Sequence, residues 1–345
     1  MKKIISLVLS FFIAINLVGC SKKINLKKYS ASFLELFDTA SSITAYDVSQ
    51  KDFNYKYNQL YSFIEKYSKL FDIYNNYDGL NNLKYINDNA ANSPVKTDAE
   101  IIELLKYSKD IYFLTDGYVN IAMGSVLSIW HEYRENGISN PKTASLPGEN
   151  ELKNASLHTN INNLVIDEKN NTVYFKDEYL KLDVGAVAKG YVCNKIKEYI
   201  TDNQLWNSAV ISLGGNIITV GEKTNKTPFI IGIENPNSTD YLTKIKASNG
   251  LSVVTSGSYQ RYYTVNNKNY NHIINKNTLF PADYFQSVTV ISNNSFLADA
   301  FSTALFCMPL QEGLKIVENN KDIEAIWLDN NNKITESSGI KALKE

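Results

Sequence analysis

Apolar positions recur at three- and four-residue spacing from Asp52 to Asp72, where Tyr57, Leu60, Tyr61, Ile64, Tyr67 and Phe71 make one stripe and predict an amphipathic helix. A second helix is marked by a capping box, Thr97-Asp98-Ala99-Glu100. Its stripe runs through Ile101, Leu104, Leu105, Ser108, Ile111 and Tyr112, and Gly117 stands where it would stop. Between the two, Tyr74 to Ala91 is rich in Asn and Asp and reads as loop. From Leu164 the period changes to two. LVID, a KNN turn and TVYF predict a hairpin, and LKLD a further strand. A helix over Val187 to Tyr199 follows. Strands are then predicted at 209–213, 217–220, 229–233, 251–255, 261–265, 270–274 and 287–291, before a helix from Ser295 to Cys307. The segment Glu135 to Asn160 reads as a long insertion. Helices first and antiparallel strands later predict one α+β domain, a mostly antiparallel sheet flanked by helices, and not an alternating βαβ array.

The amino terminus follows another pattern. Met1-Lys2-Lys3 precedes an apolar run from Ile4 to Val18, of signal-peptide length and short for a membrane span. The run ends at Leu17-Val18-Gly19-Cys20, which resembles the lipobox of bacterial lipoproteins; an ordinary secretory signal with a chance cysteine is the alternative. Residues 1–19 are therefore expected to be a lipoprotein signal peptide, residues 20–32 a lipidated Cys20 with a polar tether, and residues 33–345 the folded domain. The mature chain would hang from the extracytoplasmic face of a bacterial cell membrane, where several acyl chains hold a protein durably.

Composition narrows the function. At 345 residues, 44% hydrophobic and 21% charged, the chain can bury a large core, and wholesale disorder is excluded. Thirty-five basic residues face 36 acidic ones for a net charge of −1, and Arg134 and Arg261 are the two arginines, so no nucleic-acid partner is expected. Cys20, Cys193 and Cys307 are too scattered for a disulfide framework or a Cys-ligated zinc site. Cys193 and Cys307 fall inside predicted helices and read as buried thiols. Any metal must sit on oxygens or imidazoles.

Several common fingerprints are missing. There is no G-x-x-x-x-G-K-[ST], G-x-G-x-x-G or G-x-S-x-G, and His131-Glu132-Tyr133-Arg134-Glu135 fails H-E-x-x-H at its fifth position. Small clusters remain. Asp183 to Gly190 (DVGAVAKG) puts a carboxylate before a helix, glycines that admit a ligand, and Lys189 in the first turn, an arrangement suited to an anion; a tight turn with a surface lysine is the alternative. Asp299 and Thr303, four residues apart, project from one helix face and suit a hard cation such as Mg²⁺, or else a helix-dipole partner and a back-bonded Thr. Thr255-Ser256-Gly257, Arg261 and His272 fall on neighbouring strands. Leu213-Gly214-Gly215-Asn216 is a turn, or a close backbone approach to a planar ligand.

In their order along the chain, these clusters resemble the ApbE family, the FAD:protein FMN transferases. The resemblance is carried by Phe37-Asp38-Thr39, Leu70 to Tyr74 (LFDIY), Thr115-Asp116-Gly117, Leu182 to Gly190, Ser212 to Asn216, Thr255 to Tyr259, His272-Ile273-Ile274 and Leu297 to Phe306 (LADAFSTALF), and by the lipobox. It implies a site that takes FAD as substrate, holds Mg²⁺ against its pyrophosphate, and passes FMN to a Ser or Thr hydroxyl of a partner protein with release of AMP. By position, Phe37, Tyr74, Tyr118, Val119, Asn120, Asp183, Lys189 and Ile274 are expected to touch FAD. Asp299, Thr303 and the Ala186 carbonyl are expected to hold Mg²⁺, with His272 as the base that takes the hydroxyl proton, a role suited to a pKa near neutrality. The implied acceptor is a subunit of a membrane electron-transfer complex of the NADH:quinone oxidoreductase or Rnf type. Alternatives are Mg²⁺-dependent hydrolysis of FAD and flavin binding without catalysis. The chain departs from the family pattern after Ile274, where Asn275-Lys276-Asn277-Thr278-Leu279 replaces the usual Asp-Pro-x-Thr-Gly, and at Ser302, where some relatives carry a second acid.

Overall fold

The computed structural model describes residues 25–345, so the signal segment and Cys20 lie outside the described residues. Strands β1 (Lys27–Phe33) and β2 (Ser41–Asp47) pair antiparallel ahead of the helices. Alternate residues Tyr29, Ala31 and Phe33 pack on the core, so the sheet takes in residues 27–32, which the sequence reading had assigned to the tether. Helix α1 (Gln50–Leu70) buries Phe53, Leu60, Ile64, Tyr67 and Leu70; Leu60, Ile64 and Tyr67 belong to the expected stripe, while Tyr57 and Tyr61 are only partly buried and Phe71 caps the helix. The Asn-rich segment after it is not all loop. It contains α2 (Leu83–Asn89), because Asn82 caps the amide of Tyr85 and Leu83 and Ile86 are buried. After β3 (Val95–Lys96), helix α3 (Ala99–Leu114) begins one residue later than the capping box implied. Thr97 Oγ1 donates instead to the Asn81 carbonyl at 2.6 Å, leaving Asp98 at the cap. Gly117, at φ +72°, ends the helix with its amide on the Tyr112 carbonyl, 2.7 Å away.

The segment read as an insertion, 135–160, holds the end of α4 (Gly124–Ser139) and all of α5 (Glu149–Ser156), with mostly irregular chain between them. Trp130 and Leu152 from these helices pack with Tyr263 and Val265 in a satellite core. Strands β4 (Leu164–Asp167) and β5 (Thr172–Phe175) form the predicted hairpin. LKLD is not a strand: Lys181 makes a single bridge to Met123, and the segment is held by Asn87, which bonds both the amide and the carbonyl of Leu182. There follow α6 (Ala188–Asp202), β6 (Ser208–Leu213), β7 (Asn216–Gly221), β8 (Phe229–Glu234), β9 (Tyr241–Ala247), β10 (Ser252–Gly257), β11 (Tyr262–Val265), β12 (Lys268–Asn271), β13 (Phe285–Ser292) and α7 (Ser295–Phe306). The carboxy-terminal α8 (Leu310–Glu318), β14 (Glu324–Asp329), β15 (Ile334–Glu336) and α9 (Ile340–Leu343) were not anticipated.

The main sheet has eight strands in the order β1-β2-β6-β7-β10-β13-β14-β15, every neighbouring pair antiparallel. Helix α7 is apolar on nearly every side and accordingly buried, with Ala298, Ala300 and Ala304 small enough to let it lie against β10 and β13. It also packs on α6, and the start of α6 meets the start of α7 at Gly190. This helix pair on the sheet positions the site.

Candidate functional site

Asp299 hangs from α7 into the α6–α7 contact and is 3% exposed. A Cβ on Gly190 would lie 2.4 Å from the Ser295 carbonyl oxygen and 2.5 Å from Asp299 Cβ, so a residue with no side chain is what allows the two helices to meet. Because they meet, the Gly190 amide donates to Asp299 Oδ2 at 2.8 Å. In a regular helical turn that amide would serve the carbonyl four residues back, at Ala186. Among the described residues nothing donates to the Ala186 carbonyl, so the site holds an unpaired backbone oxygen and a buried carboxylate. Burial pushes the Asp299 carboxyl up, against the pull of Lys189 and the Gly190 amide. Asn216, 1% exposed, lies beside it with Nδ2 outside hydrogen-bonding geometry. Thr303, one turn on, shares the Ser256 hydroxyl with Ser302, at 3.3 and 2.8 Å. Ser302 also donates to the Asp299 carbonyl at 2.8 Å.

Carboxylate, hydroxyl and free carbonyl are all hard oxygen donors, the set that suits Mg²⁺ once waters or phosphate oxygens complete it. Among the described residues there is no cluster of three or more His, Cys, Asp or Glu side chains, so a metal here would lean on backbone and ligand oxygens.

Asp183 precedes α6, its amide bonded to the Ile121 carbonyl at 2.8 Å and its Oδ1 accepting from Gly185 at 2.8 Å. Burial raises its pKa, opposed by that amide and by His131, Arg134 and Lys189. The Lys189 ammonium reaches the Gly185 carbonyl at 3.5 Å. Phe37 and Asp38 both adopt left-handed backbone, at φ 57° and 49°. Arg261 clamps this turn from one side, donating to the carbonyls of Phe37 and Asp38. From the other side the glycine turn joining β6 to β7 presses on Thr39, so Leu213 to Asn216 is a hairpin turn.

Strand β12 ends at Asn271, short of the predicted Ile274, and this takes His272 out of the ladder. The Arg261 carbonyl accepts both the His272 amide, at 3.1 Å, and Nδ1, at 3.2 Å. A carbonyl can only accept, so Nδ1 carries the proton and Nε2 presents a lone pair. Burial, then the Arg261 charge, pushes the His272 pKa down to about 3, with Lys189 and Arg134 adding to the fall. That lies below the near-neutral value that suits a base.

The expected flavin contacts divide. Tyr74 is 56% exposed and lies near Asp183, whose charge adds to burial in raising the phenol to about 12. Tyr118 is half-buried under Lys276, whose ammonium sits 4.5 Å from the ring centroid. Val119 and Ile274 are buried in apolar clusters and can offer a ligand only main-chain atoms. The Asn120 side chain is committed to the Thr159 carbonyl and the Ala122 amide, both at 2.9 Å. Sequence reasoning passed over His131 and Arg134, which the fold brings beside Tyr74 and Asp183. The signal available was the scarcity of arginine, with Arg134 and Arg261 the two in the chain and Arg134 one turn from His131. Two surface grooves of about 440 and 350 Å³, lined by Lys106, Phe113 and Glu168 and by Glu103, Tyr191 and Phe296, lie away from these residues.

The family model described as the ApbE family matches residues 37–327. The chain belongs to the ApbE family. It is 32% identical over 255 residues to the FAD:protein FMN transferase of Klebsiella pneumoniae (strain 342), covering 73% of this chain and 76% of that one. With the FAD:protein FMN transferase of Treponema pallidum (strain Nichols) it shares 28% over 273 residues, 75% of this chain and 73% of the other. In structure it is similar to the ApbE protein of Thermotoga maritima, with a TM-score of 0.81 at 27% identity over 92% of this chain and all of that one. The flavin transferase ApbE of Vibrio cholerae, at 20% identity and a TM-score of 0.76, has the same fold. ApbE membership agrees with the single α+β domain expected from the sequence.

Proposed function

We propose that this chain is a Mg²⁺-dependent FAD:protein FMN transferase that joins FMN to a Ser or Thr hydroxyl of a partner protein through a phosphoester bond. The names of its relatives support the transferase class. The observation that carries the metal-dependent reading is the Ala186 carbonyl, left without a donor because the Gly190 amide is held by the buried Asp299. In this reading Asp299, Thr303 and the Ala186 carbonyl hold Mg²⁺, which would neutralise charge on the FAD pyrophosphate. Lys189 adds a cation, and Asp183 and Tyr74 orient the flavin nucleotide. The acceptor hydroxyl attacks the FMN phosphorus, the bond to the bridging oxygen breaks, and AMP leaves. The hydroxyl proton goes to the lone pair of His272 Nε2. Phosphate charge beside His272 offsets Arg261 and Lys189 and raises the ring toward a useful basicity.

Anchoring belongs to the same reading. A diacylated Cys20 would hold the enzyme on the extracytoplasmic face of the bacterial cell membrane, near acceptor subunits of an NADH:quinone oxidoreductase or Rnf-type complex. No helix among the described residues is long and apolar enough to cross a membrane.

The test is incubation with FAD, Mg²⁺ and a candidate acceptor domain, read by in-gel flavin fluorescence and AMP release. Asp299→Ala should abolish Mg²⁺-dependent turnover, and Thr303→Ala, losing a neutral oxygen, should cost less. AMP without labelled acceptor would mean hydrolysis, and neither product would mean a binding protein. Normal activity of Asp299→Ala at limiting Mg²⁺ would put the metal elsewhere.

A further inference from the structure

Helix α4 brings to the site two side chains with no role in the reading above. The His131 ring stacks on Tyr74, centroids 4.6 Å apart and planes 28° from parallel, with the Tyr74 hydroxyl 3.4 Å from His131 Nδ1. Arg134, one turn along α4, places Nη2 2.9 Å from the same nitrogen. A guanidinium has hydrogens to give and no lone pair, so Nδ1 is the acceptor and the ring proton sits on Nε2. Arg134 is itself held by Glu135 at 3.2 Å, with its side chain 17% exposed. These are the residues of the H-E-x-x-H near-miss, which on this geometry is no metal motif.

Resting on the flavin-transferase reading, we infer that His131 is a positioning residue for FAD: it backs one face of Tyr74, so that the other presents a fixed platform to a planar heteroaromatic ring of the substrate, and Arg134 fixes the imidazole's orientation. The stacked rings and the 2.9 Å contact from Arg134 carry this. An exposed tyrosine on a loop would ordinarily lose rotamer freedom when a ligand stacks on it, and a partner ring already in place removes that cost before binding. The pair lies against Arg134, whose Nη2 is 2.9 Å from His131 Nδ1, and the Asp183 charge reaches both rings. Burial, then Arg134, also holds the imidazole below its ordinary pKa, while Glu135, Asp183 and Asp38 pull the other way.

Flavin fluorescence quenching, titrated with FAD, separates this role from a surface contact. His131→Ala should weaken FAD binding roughly 3- to 10-fold, the range of one aromatic contact, with an unchanged melting temperature. His131→Phe, which restores a ring without nitrogen, should return affinity to near the parent's. Arg134→Ala, leaving the ring unheld, should fall between. FMN and ADP as separate probes show which ring stacks: the one whose affinity follows the His131 series is the one on Tyr74. A parent that fails to bind FAD overturns the flavin reading. A parent that binds it, with His131→Ala binding equally well or His131→Phe failing to rescue, overturns this inference alone.

Discussion

Gly190→Ala tests the origin of the site more sharply than removal of any ligand would. The added methyl would sit 2.4 Å from the Ser295 carbonyl oxygen, 2.5 Å from Asp299 Cβ and 2.9 Å from Phe296 Cα, and none of these is the end of a flexible side chain. Helix α7 must therefore retreat. Overpacking of this kind costs about 1–3 kcal/mol. Retreat also breaks the 2.8 Å bond from the Gly190 amide to Asp299, and a hydrogen bond to a charged group is worth about 1.5–3 kcal/mol. Alanine returns about 1 kcal/mol of helix propensity. The balance is a loss of roughly 2–5 kcal/mol, and at about 1.5 °C per kcal/mol for a domain of this size, a melting temperature lower by roughly 3–8 °C. The freed amide would turn back to the Ala186 carbonyl, so the Mg²⁺ requirement of any surviving transfer should rise. Gly148→Ala is the control, because its methyl would meet nothing nearer than 4.0 Å. Circular-dichroism melts of both variants, beside a Mg²⁺ titration of transfer, provide the assay. A Gly190→Ala protein that melts within a degree of the parent and keeps its Mg²⁺ dependence would refute the helix-contact account.

His272→Ala should lose flavin transfer by about 10²- to 10⁴-fold while keeping FAD affinity and melting temperature, because the His272 backbone amide still serves the Arg261 carbonyl after truncation; loss explained by unfolding would refute the role of base. Since burial and Arg261 depress the His272 pKa, the neutral ring favours the folded state fully above the ordinary imidazole pKa and progressively less as pH falls from there toward about 3. Acid melts of the parent should therefore decline more steeply over that window than those of His272→Ala, and equal slopes would contradict the depressed value. Cys20→Ala should yield unlipidated protein that stays uncleaved or is released, and fractionation that finds it cut at residue 20 and membrane-bound would remove the anchor.

Where one side chain or one period decides an element, the sequence was readable. The stripe of α1, the hairpin of β4 and β5 and the apolar α7 each follow from burial that a short window already displays. The errors share a cause, which is that distant partners decided the outcome. LKLD has strand composition, but Asn87 takes both polar groups of Leu182 and leaves no ladder to join. Thr97 looks like a cap until the Asn81 carbonyl offers a better partner. At the candidate site, Asp183, Asp299, Thr303 and His272 could be singled out because their residue types are chemically conspicuous. The Tyr74–His131 stack could not, because 57 residues separate the two rings and neither is unusual alone.

The loop after Ile274, which departs from the family pattern, is held by contacts of its own. Position 279 is leucine where that pattern has glycine. Leu279 nevertheless adopts φ +61°, a conformation that costs an L-residue on the order of 1–2 kcal/mol. Two contacts offset that strain: the Leu279 side chain packs in the satellite core, and its carbonyl accepts from Trp130 Nε1 at 2.8 Å. The lost carboxylate is replaced in kind. Asn275 Oδ1 accepts the Asn277 amide at 2.8 Å, as an aspartate could, and its Nδ2 donates to the Cys307 carbonyl at 2.6 Å, which an aspartate could not. Lys276, where the family pattern has proline, reaches across to the Asp116 carbonyl and covers Tyr118, tying the loop to the stretch expected to meet flavin. His272 itself takes its orientation from the Arg261 carbonyl on the opposite side, not from this loop. The departure therefore falls beside His272 and leaves the contact that orients its ring to Arg261.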